Sequence, residues 1–302
     1  MRLVPLSGSD VCAGRALRFD VYSAEGKLLL ARGQRVPSAA LAQRLIETAF
    51  RRIEGEPSAG MSAFRRMDGI AARLARLLAE FGAPSSREFW VRRVDNLVRD
   101  MLDAADDDPD AAFAMPHLNT HYNYDVLHHL MAALVAARLA HAVGLDAAAR
   151  HSLACAGITH DVAMLAHRSA FDSVEMLSEA QREAVLHHPE AGRELLSELG
   201  VTDALWLDAV ARHHEYLDGS GYPSGSRGDA QPLGGRILAL ADALSAMLRM
   251  RPYRERRLAA DAVAELYADA DGRYDPALVA ALKQALGDHP PGSVVRLESR
   301  EI

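Results

Sequence analysis

A chain of 302 residues, 49% hydrophobic and 25% charged, has the composition of a globular protein with room for one large core and a smaller module, which excludes a chain dominated by disorder. Its formal charge of −7 argues against a surface built to coat a nucleic acid polymer or an anionic membrane, while a few local cations can still hold a small anion. There is no apolar run of about 18 residues or more, and Met1–Asp10 has neither the charged start nor the apolar centre of a signal peptide, so a cytoplasmic protein without membrane contact is expected.

In chain order, residues 1–56 read as a small β/α module. Gly14–Tyr22 alternates in part, Ser23-Ala24-Glu25-Gly26 supplies turn residues, Lys27–Ala31 forms a second short strand, and Ser38 is placed to cap a helix running through Phe50. The module is read as a packing or dimerisation element. Gly55-Glu56-Pro57-Ser58-Ala59-Gly60 reads as a linker. Beyond it, the spacing of Phe64, Met67, Ile70, Leu74, Leu77, Leu78 and Phe81 predicts a helix over Met61–Phe81. The same pattern predicts another over Phe89–Leu102, after a break at Ala83-Pro84-Ser85-Ser86. Residues 57–118 are therefore expected to be a helical connecting region, suited to homodimer contacts or signal relay. The acidic run Asp106-Asp107-Asp108-Pro109-Asp110 reads as a solvated loop, because Pro109 interrupts it and the spacing is not that of an EF-hand.

From residue 119 onward nearly every segment reads as helix, broken at Gly144, Gly157, Pro189, Gly200 and a glycine-rich stretch over 218–235. The fold class is mainly α, a helical bundle over residues 119–302 behind the small β-containing module. Cys12 and Cys155 are too few and too far apart in sequence for a disulfide framework. Cys155, set among Leu153, Ala154, Ala156 and Ile158, reads as a small buried core residue.

The bundle carries the chemistry. His213-His214 runs directly into Glu215-Tyr216-Leu217-Asp218-Gly219-Ser220-Gly221-Tyr222-Pro223-Ser224-Gly225, which joins two adjacent imidazoles to a loop shaped by glycine and proline. Upstream lie His128, the pair His160-Asp161, and His188, with Pro189 placed at the first position of a helix that His188 opens. Downstream, Asp242 sits in the apolar stretch Arg236–Leu244, where a lone carboxylate is costly to bury and a metal is an effective partner. These seven residues offer a mixture of imidazole nitrogen and carboxylate oxygen, which suits iron or manganese. A phosphodiester resists attack because both it and the nucleophile carry or develop negative charge, and two adjacent divalent metals relieve both problems.

The order and spacing of these residues resemble the HD-GYP family, a branch of the HD-domain metal-dependent phosphohydrolases whose members hydrolyse cyclic di-GMP. The resemblance covers about residues 119–287. It implies an HD-domain helical bundle in which His128, His160, Asp161, His188, His213, His214 and Asp242 hold two divalent metals, with His160 and Asp161 central to catalysis and Asp161 the bridging carboxylate. Some members add a glutamate four residues before the first histidine and hold a third metal. That position is Tyr124 here, so a binuclear site is expected.

Arg251-Pro252-Tyr253-Arg254 matches the family's RPY segment, and its two arginines, Arg251 and Arg254, resemble those that contact the dinucleotide. Tyr222 is placed to stack or hydrogen-bond with substrate, and the Gly221-Tyr222-Pro223 loop to meet protein partners. Two further departures stand out: Met164 occupies the position of a phosphate-contacting lysine, and Ser245 that of a second aspartate. The resemblance implies hydrolysis of cyclic di-GMP to linear pGpG, and on to GMP. The departures keep two alternatives open, a catalytically weak cyclic di-GMP receptor and a phosphodiesterase for another cyclic dinucleotide.

Overall fold

The computed structural model describes residues 2–6, 11, 13–23, 26–53, 61–81, 87–167, 178–248, 259–268 and 272–295. The chain divides into two compact units, Met1–Met61 and Ser62–Ile302.

The first unit is a four-stranded sheet in the order β1-β4-β2-β3, with β1 at Arg2–Pro5, β2 at Val21–Tyr22, β3 at Leu28–Leu30 and β4 at Phe50–Ile53. All three pairings are antiparallel. Helix α1 spans Ala39–Thr48, and Ser38 caps it by accepting from the Leu41 amide. The helix predicted through Phe50 therefore stops earlier. Ala49 turns extended, and Phe50 opens β4, a central strand that pairs with both β1 and β2. Two charges obscured that strand in the sequence, and Arg51 settles its guanidinium over the Phe19 ring at 5.1 Å. Of the alternating stretch Gly14–Tyr22, only Val21 and Tyr22 are strand, with an isolated bridge between Ala16 and Arg35. Leu6, Val11, Leu17, Val21, Val36, Ala42, Leu45 and Ala49 form a separate small core.

The second unit is helical: α2 Ala63–Ala79, α3 Arg87–Asp107, α4 Pro109–Leu118, α5 Tyr124–Ala142, α6 Ala147–Thr159, α7 Glu179–Glu198, α8 Ala204–Arg212, α9 Leu233–Met247, α10 Ala259–Ala268 and α11 Pro276–Leu286, with 3-10 turns at Val162–His167 and Gly228–Ala230. Met67, Leu74 and Leu77 of α2 and Trp90, Val94 and Leu97 of α3 belong to the same apolar core as the helices that follow. The predicted acidic loop is not a loop. Asp106 and Asp107 end α3, while Asp108 caps α4 by accepting from the Ala111 amide, with Pro109 in the first turn where its missing N–H costs nothing.

Helix α5 is the axis of the bundle, with residues Val126–Ala137 all buried, as expected of a helix apolar on every side. It packs against α6 so closely that a Cβ on Gly157 would lie 2.5 Å from the Ala133 Cα. Gly157, expected as a helix break, is thus an interior α6 residue that lets two backbones meet. Pro189 is likewise inside a helix. α7 starts well before it, at a capping box in which Ser178 and Gln181 satisfy each other's backbone amides.

Candidate metal centre

Five segments deliver the seven predicted ligands to one place. His128 lies on α5, His160 and Asp161 at the end of α6, His188 on α7, His213 and His214 at the end of α8, and Asp242 on α9. The neighbouring histidines are sorted by their helices: His188 is buried whereas His187 is exposed, and His128 enters the cluster whereas His129 turns its Nδ1 to the Asp125 carbonyl at 2.6 Å.

The imidazoles form two pairs. His128 and His160 bring their Nε2 atoms to 3.2 Å, and His188 and His213 bring theirs to 3.1 Å. Asp161 stands between the pairs and faces each with a different oxygen. Its Oδ1 is 3.2 Å from His188 Nε2 and 3.8 Å from His213 Nε2, while its Oδ2 is 3.6 Å from His160 Nε2 and 3.8 Å from His128 Nε2. Asp242 places Oδ1 3.0 Å from His128 Nε2 and 3.4 Å from His160 Nε2, and Oδ2 3.8 Å from His214 Nδ1.

What turns the Nε2 atoms inward is the fate of each Nδ1. His160 donates Nδ1–H to the Gly157 carbonyl at 2.9 Å and His213 to the Val210 carbonyl at 2.7 Å, both carbonyls freed because a helix is ending. His188 donates to the Val185 carbonyl at 2.6 Å. Pro189, four residues after Val185, has no N–H to claim that carbonyl, so a proline that weakens the helix supplies a histidine anchor. A carbonyl can only accept, so each of these rings carries a hydrogen on Nδ1 and turns Nε2 inward, and in the neutral ring that nitrogen presents a lone pair.

Two such lone pairs about 3 Å apart, bordered by two carboxylates, suit a cation. The charges behave accordingly. Burial opposes ionisation of Asp161, yet the surrounding imidazoles, His160 first and then His188 and His213, hold it well below the usual carboxylate range. Burial likewise opposes Asp242, and His128 and His160 hold it well below that range too. At His160 burial is outweighed by Asp161 and Asp242, which push the imidazole up to about 9. The carboxylates thus draw positive charge into the cluster, and the donor set of imidazole nitrogen with carboxylate oxygen fits a pair of divalent transition metals. Two candidate ligand groups, Asp161 with His188, His213 and His214, and Asp161 with His128 and His160, share Asp161.

The four paired imidazoles are buried, whereas the side chains of Asp161, His214 and Asp242 keep 18%, 20% and 13% of their surface, which leaves the cluster an opening at these three residues. Tyr222 borders that opening, its ring 4.6 Å from His214. Its hydroxyl is pushed well above the usual phenol range by burial and by Asp161 and Asp242, so it stays protonated as a donor.

Glu215, a residue assigned no role from sequence, is buried and holds this loop. Its two oxygens accept from the Ser224 and Ser226 amides at 2.6 and 2.9 Å. Gly221 is required by proximity, since a Cβ there would lie 2.4 Å from the His214 carbonyl oxygen. Met164 lies in the 3-10 turn after Asp161, where its amide donates to the Asp161 carbonyl. Arg251 and Arg254 lie outside the described residues.

A bundle of helix ends converging on adjacent His160-Asp161, with further imidazoles and a distal aspartate, defines a metal-binding domain of the HD type. A family model described as an HD domain matches residues 90–278, and the chain belongs to that family. The chain is 30% identical over 195 residues to the cyclic di-GMP phosphodiesterase PA4108 of Pseudomonas aeruginosa, covering 64% of this chain and 47% of that protein. It is 38% identical over 159 residues to the cyclic di-GMP phosphodiesterase response regulator RpfG of Xanthomonas campestris, covering 49% and 40%. It is 36% identical over 149 residues to the 3'3'-cGAMP-specific phosphodiesterase 3 of Vibrio cholerae, covering 49% and 32%. The chain thus spans about half the length, or less, of these relatives. The structure of Bd1817, described as an HDG"Y"P protein from Bdellovibrio bacteriovorus, shares the fold with a TM-score of 0.62 at 16% identity, covering 94% of this chain and 99% of that one. No helix among the described residues is long and apolar enough to cross a membrane.

Proposed function

We propose that the chain is a phosphodiesterase that opens cyclic di-GMP to linear pGpG, using two divalent ions, iron or manganese, held by His128, His160, Asp161, His188, His213, His214 and Asp242. The observation that carries this reading is Asp161, whose two oxygens are divided between two imidazole pairs. When bound, paired divalent ions generate a nucleophile from water at neutral pH and offset charge on the phosphoryl oxygens. The chain's own residues do the rest. Asp161 and Asp242 balance the charge of the ions, Tyr222 and the exposed edge of His214 border the entrance, and the loop held by Glu215 keeps Tyr222 there. Arg251 and Arg254 are assigned to the anionic dinucleotide, as permanently charged donors that do not ligate metals.

The test is anaerobic purification with metal analysis, followed by product chromatography after incubation with cyclic di-GMP and, separately, 3'3'-cGAMP. Two equivalents of metal and a pGpG product support the reading. Preferential cleavage of 3'3'-cGAMP moves the substrate to the mixed dinucleotide, a second reading that the similarity to the Vibrio cholerae enzyme favours. A metal-loaded protein that binds dinucleotide without turnover makes it a receptor.

A further inference from the structure

The centre is asymmetric in how its histidines are held. His160, His188 and His213 each anchor Nδ1 on a carbonyl of their own segment, three residues back. His128 lies within α5 and does not. Its Nδ1 reaches Ser245 Oγ on α9 at 2.8 Å, across 117 positions of sequence. Ser245 is fully buried, so water cannot stand in for it. Its hydroxyl is also 2.9 Å from the Asp242 carbonyl. With its one proton donated there, the oxygen has only lone pairs left for His128. Nδ1 must then carry its own hydrogen, and in the neutral ring Nε2 is left with the lone pair, the tautomer that can ligate on the side facing the cluster. Tyr124, stacked on the ring at 4.9 Å and 22°, holds its plane.

We infer that Ser245 is a positioning residue that selects the ligating tautomer of His128, and so sets the affinity of the His128–His160 metal position separately from that of the His188–His213 position. One turn of α9 thus governs both faces of one imidazole, Asp242 at Nε2 and Ser245 at Nδ1. The inference rests on the metal centre proposed above.

The experiment titrates Mn²⁺ calorimetrically into the chelator-treated full chain, with metal content measured after dialysis, for wild type, Ser245→Ala and Ser245→Thr. Wild type should show two sites. Ser245→Ala should weaken one of them by about 10- to 100-fold, the usual cost of losing an outer partner of a ligating histidine, and leave the other within about twofold. Ser245→Thr, which keeps the hydroxyl, should restore the weakened site. If Ser245→Ala does not fold, Ser245→Cys carries the same comparison, because its sulfur is a weak acceptor. Two unchanged sites in Ser245→Ala, or equal weakening of both, overturns the inference and leaves the metal centre standing. A wild type that takes up no Mn²⁺ or Fe²⁺ overturns the centre itself, and the inference with it.

Discussion

At the scale of single residues, the geometry makes Asp161 irreplaceable by its own amide. Asparagine keeps one oxygen but puts an N–H where the second faces an imidazole pair, and it removes a charge the cluster needs. Asp161→Asn should lower affinity for both ions by at least the ~10- to 100-fold typical of losing a mere orienting group. Metal analysis after dialysis reads this, and a variant that retains two equivalents would remove Asp161 from the bridging position. The seven ligand candidates were legible from sequence because together they fall at positions that resemble the ligand set of a known family; no one of them stood out alone. Glu215 and Ser245 were not. A glutamate in a polar loop and a serine in an apolar helix look ordinary until backbone amides are seen to meet the one and an imidazole the other.

Helices were legible from their apolar spacing, but their limits depended on partners the sequence does not display. Pro189 shows why. Local rules place proline in the first turn, yet here it sits inside α7, buried, and leaves the Val185 carbonyl to His188. Pro189→Ala should therefore have opposite effects on two measurements. An interior proline typically costs a helix about 3 kcal/mol or more, so the thermal midpoint of the metal-free protein should hold or rise. The restored amide competes with His188 for Val185, so metal affinity should fall by about tenfold or more. Differential scanning fluorimetry and Mn²⁺ titration on the same preparations separate the two, and an unchanged affinity would count against the anchor. The strand β4 escaped notice for a related reason: Arg51 beside Arg52 suggests solvent, and only the pairing of β4 with two neighbours and the contact of Arg51 with Phe19 make it a strand.

At the scale of the whole molecule, the buried apolar residues among those described fall into two cores that share no member, one within the first unit and one beginning at α2. A chain starting at Ser62 should therefore fold and bind two equivalents of metal with affinities within about threefold of the full chain, a difference under ~1 kcal/mol. Circular dichroism and metal titration would show otherwise if α2 depends on the preceding unit. The dispersal of the ligands over five segments also bears on the order of events as the chain folds. His128 and Asp242 lie on different helices, α5 and α9, and meet only once these have docked, so the proposed ions would have no assembled site on the unfolded chain and are expected to bind after the rate-limiting step. Metals should then leave the refolding rate nearly unchanged and slow unfolding instead, in proportion to the native-state stabilisation they confer. Stopped-flow chevrons with and without Mn²⁺ should share their refolding limb and part on the unfolding limb; a metal-accelerated refolding limb would mean that two ligand segments already meet in the transition state.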